Sequence, residues 1–142
     1  MTVPLPVIVC GKSTTIANSV ITALKPEYEV IHVILSPAQG VAQIPGLLLG
    51  KNPGELDNIG TRNYSQKAIA LVTGAGYDDD AIAEMRGAAK GTTSVPWLRP
   101  DMNRPAPPLG PGYGEALVIR VKETLKQLAA EGKLQEDALV YY

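Results

Sequence analysis

The chain has 142 residues, 45% hydrophobic and 19% charged, with a formal net charge of −1 from thirteen basic and fourteen acidic side chains. That is the size and balance of one globular domain, 1–142, and not of a disordered segment. Evenly mixed charge argues against nucleic acid or an anionic membrane as partner, and no stretch nears the roughly 20 apolar residues needed to span a bilayer.

A single cysteine, Cys10, excludes an internal disulfide and any multi-cysteine metal site, and with one histidine it argues against a metal centre. The start, Met1-Thr-Val-Pro-Leu-Pro6, has no basic segment before its apolar run and does not read as a signal peptide. The expectation is a soluble cytoplasmic protein.

Val7 to Cys10 reads as a buried strand. Residues 13–24 follow as a helix, with Ile16, Ala17, Val20, Ile21 and Leu24 on one stripe and Pro26 as its stop. Tyr28 to Leu35 is rich in β-branched residues and apolar on both faces, the pattern of a central parallel strand. After it, Pro37-Ala-Gln-Gly40 and Pro45-Gly-Leu-Leu-Leu-Gly50 predict only short helical pieces, and 51–66 is a long polar connection.

A third strand, Ala68 to Thr73, leads through Gly74-Ala-Gly-Tyr77 into a helix from about Asp78 to Gly91. A fourth, Ser94 to Leu98, is short and contains Pro96, which places it at an edge. An arm at 96–111 holds six of the twelve prolines, and the last helix spans about Tyr113 to Glu131. The tail, 138–142, reads as a fifth strand, a docked tail, or an arm reaching a second copy in a homodimer.

Strands and helices alternating at this spacing predict a three-layer α/β sandwich on a mainly parallel sheet of four or five strands. It is Rossmann-like or flavodoxin-like, in order 2-1-3-4. In such a fold the loops that follow strands meet at the carboxyl edge: 10–15, 36–40, 73–80 and 98–112. The connection 51–66 then lies away from them, unless the second crossover is not a regular helix.

The most informative stretch is Val7-Ile-Val-Cys-Gly-Lys-Ser-Thr-Thr15, where a strand turns through one glycine into a helix start rich in capping residues. It lacks the full phosphate-binding loop G-x-x-x-x-G-K-[ST] and the dinucleotide fingerprint G-x-G-x-x-G. A helix N-terminus with Lys12 beside it still suits an anion. The candidate ligand is therefore small and phosphorylated or nucleotide-like, held by Gly11, Lys12, Ser13 and Thr14. Gly74 and Gly76 would allow close backbone approach, and Arg99 and Arg104 would close over it. Trp97 and Tyr113 are candidates to stack on a flat ring.

NADP is the leading cofactor. The second strand ends in Ser36 where NAD-binding folds carry an acid for the ribose hydroxyls, and no acid follows before Glu55. No arginine stands beside Ser36 to pair a 2′-phosphate. Val72-Thr-Gly-Ala-Gly76 matches only the opening of a short-chain dehydrogenase turn, and the chain has no Tyr-x-x-x-Lys pair. Asp78, Asp79 and Asp80 complement a helix dipole and make that helix start a poor phosphate site.

The alternative is an enzyme in which Cys10, at a strand end before a helix N-terminus, is a phosphoryl-transfer or redox nucleophile. Val9-Cys-Gly-Lys-Ser-Thr-Thr15 resembles the phosphocysteine loop of the B components of bacterial sugar phosphotransferase systems. The resemblance covers some fifteen residues. It implies that Cys10 takes a phosphoryl group cradled by Ser13 to Thr15. A tyrosine-phosphatase loop is excluded because Ile16 stands where its arginine belongs. His32, mid-strand among Ile31, Val33 and Ile34, reads as a satisfied sheet-face residue. A structural or interaction protein that keeps a Rossmann-like shape without a ligand is the third reading.

Overall fold

A computed structural model describes residues 3–54 and 57–142; Glu55 and Leu56, inside the 51–66 connection, lie outside the described residues. The chain forms β1 (Leu5–Cys10), α1 (Thr14–Leu24), β2 (Tyr28–Ile34), α2 (Pro37–Leu48), β3 (Leu71–Thr73), α3 (Asp79–Ala88), β4 (Trp97–Arg99), α4 (Tyr113–Ala130) and β5 (Leu139–Tyr141). The five strands pair in parallel in the order β2-β1-β3-β4-β5, giving the expected three-layer α/β sandwich with the tail as fifth strand. Among the described residues no helix is long and apolar enough to cross a membrane.

Alternation along β1 divides the core in two. Val7 and Val9 join Val72, Leu98 and the apolar stripes of α1 and α4 on one face. Ile8 and Cys10 join Leu71, Trp97 and the stripes of α2 and α3 on the other. The α1 and α4 helices approach closely: a Cβ on Gly114 would collide with Ser19 Oγ.

Three local expectations are corrected. The second crossover is one continuous helix although Pro45 lies inside it. Pro37 occupies the first turn, where its missing N–H has no partner to lose, and Ile44, Leu47 and Leu48 bury against the sheet. That burial overrides a weak local propensity. The fourth strand is interior: β4 pairs with β3 and β5, and Pro96 sits just before it, offering its carbonyl to the Leu71 N–H at 3.1 Å. A carbonyl needs no N–H, so the proline is harmless there.

The apolar pattern that reads as a central strand belongs to a terminal one, where the expected order 2-1-3-4 places it. Its outer side is covered by the segment 58–62, in which the N–H groups of Thr61 and Arg62 bond the carbonyls of Val30 and Ile31 at 2.9 and 3.0 Å. Asn58 works as a strand surrogate. Its Oδ1 accepts the Val33 N–H and its Nδ2 donates to the Val33 carbonyl, each at 2.8 Å. Segment 58–62 of the 51–66 connection therefore runs along the sheet edge beside β2.

Candidate functional site

The loops after β1 and β3 and the start of α4 converge as a parallel sheet requires. Between α1 and α4, above the carboxyl ends of β1 and β3, lies a slot of about 280 Å³. Gly11, Lys12, Ser13, Gly74 and Gly76, with Cys10 and Tyr113, all candidates from the sequence, line it together with Val9, Ile16, Ala17, Val20, Val72, Ala75, Leu117, Val118, Val121 and Tyr142.

Each polar group at the mouth has a defined posture. Gly11 donates its N–H to the Ile34 carbonyl and Gly74 donates to the Cys10 carbonyl, both at 2.9 Å, so the strand ends are braced before the helix begins. Ser13 is the N-cap of α1 and its Oγ accepts the Ile16 N–H at 3.2 Å. The next two residues, Thr14 and Thr15, are exposed, and a helix has no internal acceptor for N–H groups in its first turn. Lys12 lays its stem against Gly76, where a Cβ would stand 3.2 Å from Lys12 Cδ, and its ammonium lies 5.7 Å from the Tyr77 ring centroid.

Thr14, Ser36, Arg99 and Arg104 do not line the slot. Ser36 caps α2, accepting the Gln39 N–H at 3.2 Å. Arg99 faces α3: it donates to Asp79 at 2.7 Å and to the Tyr77 carbonyl at 3.2 Å, and lines a neighbouring cavity of about 430 Å³ with Asp101 and Asn103. Arg104 is exposed in the arm, its N–H turned to the Asp101 carbonyl at 3.0 Å. Trp97 is buried in the opposite core and cannot stack on anything in the slot. Asp78 caps α3 through the Ala81 N–H at 2.8 Å.

Cys10 sits in the reverse of an activating environment. It is buried on the α2–α3 face, and burial pushes its thiol up to about 12. A thiol so placed is protonated at neutral pH. The Tyr77 hydroxyl lies across the ends of β1 and β2, donating to the carbonyls of Gly11 at 3.0 Å or Ile34 at 3.2 Å.

The residues missed from sequence are the apolar walls of the slot. Their signal, the stripes of α1 and α4, was visible but reads equally as plain core. What separates the two is the shortfall in side-chain volume at Ala17 and along Val20, Val118 and Val121, which appears only when the helices are set in place.

His32 holds a separate polar cluster. The register runs Val7↔Val30 and then Ile8↔His32, so Ile31 is an extra residue and both it and His32 turn toward α2. Its Nδ1 lies 2.6 Å from the Tyr64 hydroxyl and its Nε2 2.7 Å from Gln43 Oε1, with Asn58 Nδ2 at 3.3 Å. Burial holds the imidazole below its ordinary 6.5 despite the Gln43 bond. The unfolded chain therefore takes up the proton first. Stability should be level above about pH 7 and fall as the pH drops below 6.5 toward the folded value. Urea midpoints at pH 7.5 and 5.5 check this: His32→Gln is expected to flatten the slope, and an equal slope in that variant would refute the assignment. Glu27 and Glu131, held below their ordinary 4.5, titrate beneath this window.

No family model matches the chain, and no solved structure matches it. Among curated proteins, kojic acid related protein 6 of Aspergillus oryzae (strain ATCC 42149 / RIB 40) is 36% identical over 137 residues, covering 94% of this chain and 83% of that protein.

Proposed function

With the chain belonging to the family of kojic acid related protein 6, we propose that it is a small-molecule binding domain for a phosphorylated or nucleotide-like ligand. The anion rests at the first strand-to-helix turn beside Gly11, on Lys12, Ser13 and the exposed first-turn N–H groups that begin at Thr14, because the Gly11 N–H is already bonded to the Ile34 carbonyl. One observation carries this reading: a preformed slot opens at the carboxyl ends of parallel strands with a helix N-terminus and a lysine at its mouth. Open α/β sheets bind ligands in that position, and free N–H groups with a positive dipole end favour a negative charge there.

The size of the slot favours a compact ligand. Small-molecule sites span about 300–1,000 Å³, so 280 Å³ takes one ring system or short chain rather than a whole dinucleotide. NADP is then a ligand that would insert only part of itself. The buried, protonated Cys10 favours binding over phosphoryl transfer through that thiol.

A thermal-shift panel of NADPH, AMP, sugar phosphates and inorganic phosphate tests the reading. Kojic acid joins the panel because the relative's name connects that protein to it. A ligand at about 100 times its Kd is expected to stabilise the fold by roughly 2.7 kcal/mol. Lys12→Ala is expected to weaken a phosphorylated ligand about tenfold, or about 1.4 kcal/mol. No shift with any phosphorylated compound would overturn the proposal.

A further inference from the structure

The interior of the slot differs from its mouth. Below the strand ends the surfaces are Val9 and Val72 from the sheet, Ala17 and Val20 from α1, and Val118 and Val121 from α4. None of these side chains donates or accepts a hydrogen bond. Tyr142 also lines the slot, but its hydroxyl is spent on the Thr73 carbonyl at 2.8 Å. The other polar groups are Lys12 and Ser13 with the backbone of Gly11 and of Gly74 to Gly76, in the loops at the strand ends, and the Tyr113 hydroxyl at the first turn of α4.

A nucleobase or sugar placed in that interior would leave several donors and acceptors without partners, which is unfavourable in an apolar site. An alkyl or aryl group would lose nothing and would gain dispersion contacts. Apolar cavities of roughly 150 Å³ hold benzene. A slot of about 280 Å³ therefore has room for a bicyclic ring or a chain of about eight carbons. Resting on the anion reading above, we propose that the ligand is amphiphilic: a single phosphate head at the α1 N-terminus and an uncharged apolar body, aryl or short alkyl, between α1 and α4.

Calorimetric titration of the wild-type chain with 1-naphthyl phosphate, hexyl phosphate, AMP and inorganic phosphate decides this. The first two are expected to bind at least tenfold more tightly than the last two, with a more negative heat-capacity change from apolar burial. Ala17→Leu, which fills the slot from its α1 wall, is expected to remove that advantage while sparing inorganic phosphate. The ranking on the wild-type chain stands even if that variant folds poorly. AMP binding as tightly as 1-naphthyl phosphate would overturn the apolar body and leave the anion site intact. Failure of all four to bind would overturn both.

Discussion

Gly60→Ala is expected to destabilise the fold by roughly 3 kcal/mol, combining the overpacking cost at a tight site with the loss of edge hydrogen bonds. A Cβ at Gly60 would stand 2.7 Å from the Ile31 carbonyl carbon and the His32 nitrogen, and 2.8 Å from the Ile31 oxygen. These are backbone atoms of β2, held by pairing with β1, and cannot rotate aside as a side chain would. The covering segment has to lift instead. Lifting it strains the Thr61 and Arg62 bonds to β2, the Asn58 bridge to Val33, and the turn closed by the Gly60 N–H on Asn58 Oδ1 at 2.9 Å. For a chain of this size the melting temperature should fall by on the order of 10 °C. A fall of only one or two degrees would show that 58–62 does not hold the sheet edge.

Trp97→Ala is expected to cost about 3–5 kcal/mol, a large share of the roughly 5–15 kcal/mol that stabilises a typical domain. Trp97 is 2% exposed and stands in β4 between Leu71 of β3 and Leu139 of β5, in the core under α2 and α3. Removing it leaves a cavity between the sheet and the helices α2 and α3. The variant separates packing from recognition, because the slot lies on the other face, under α1 and α4. Trp97→Phe should fold and bind ligand normally. The emission of this lone tryptophan should be blue-shifted and unmoved by a ligand that fills the slot. A ligand-dependent shift of that emission would place the binding site on the wrong face.

The β1–α1 turn was legible because its signals are local: an apolar run, one glycine, then a capping serine. Gly11, Lys12 and Ser13 do meet Gly74 and Gly76 at one opening, as parallel connections demand. Arg99 does not line the slot, for a reason that is also physical. Its position after the fourth strand puts it at the carboxyl edge, but a side chain at that edge can serve either face, and Asp79 draws it toward α3. The apolar character of β2 was read as centrality. It follows instead from a covering segment, Thr61 and Arg62, that supplies main-chain partners to Val30 and Ile31 from far along the chain.

By itself, then, the sequence determined the layers, the parallel sheet, the chain order of the elements and the strand-end turn that opens α1. These rest on period, capping and breaking residues, which act over a few neighbours. Only the tertiary structure decided that α2 runs through Pro45, that an extra residue in β2 turns His32 onto Gln43 and Tyr64, and that α1 and α4 leave an apolar slot between them. Those outcomes depend on volumes and distances between residues far apart in the chain, where burial outweighs local preference.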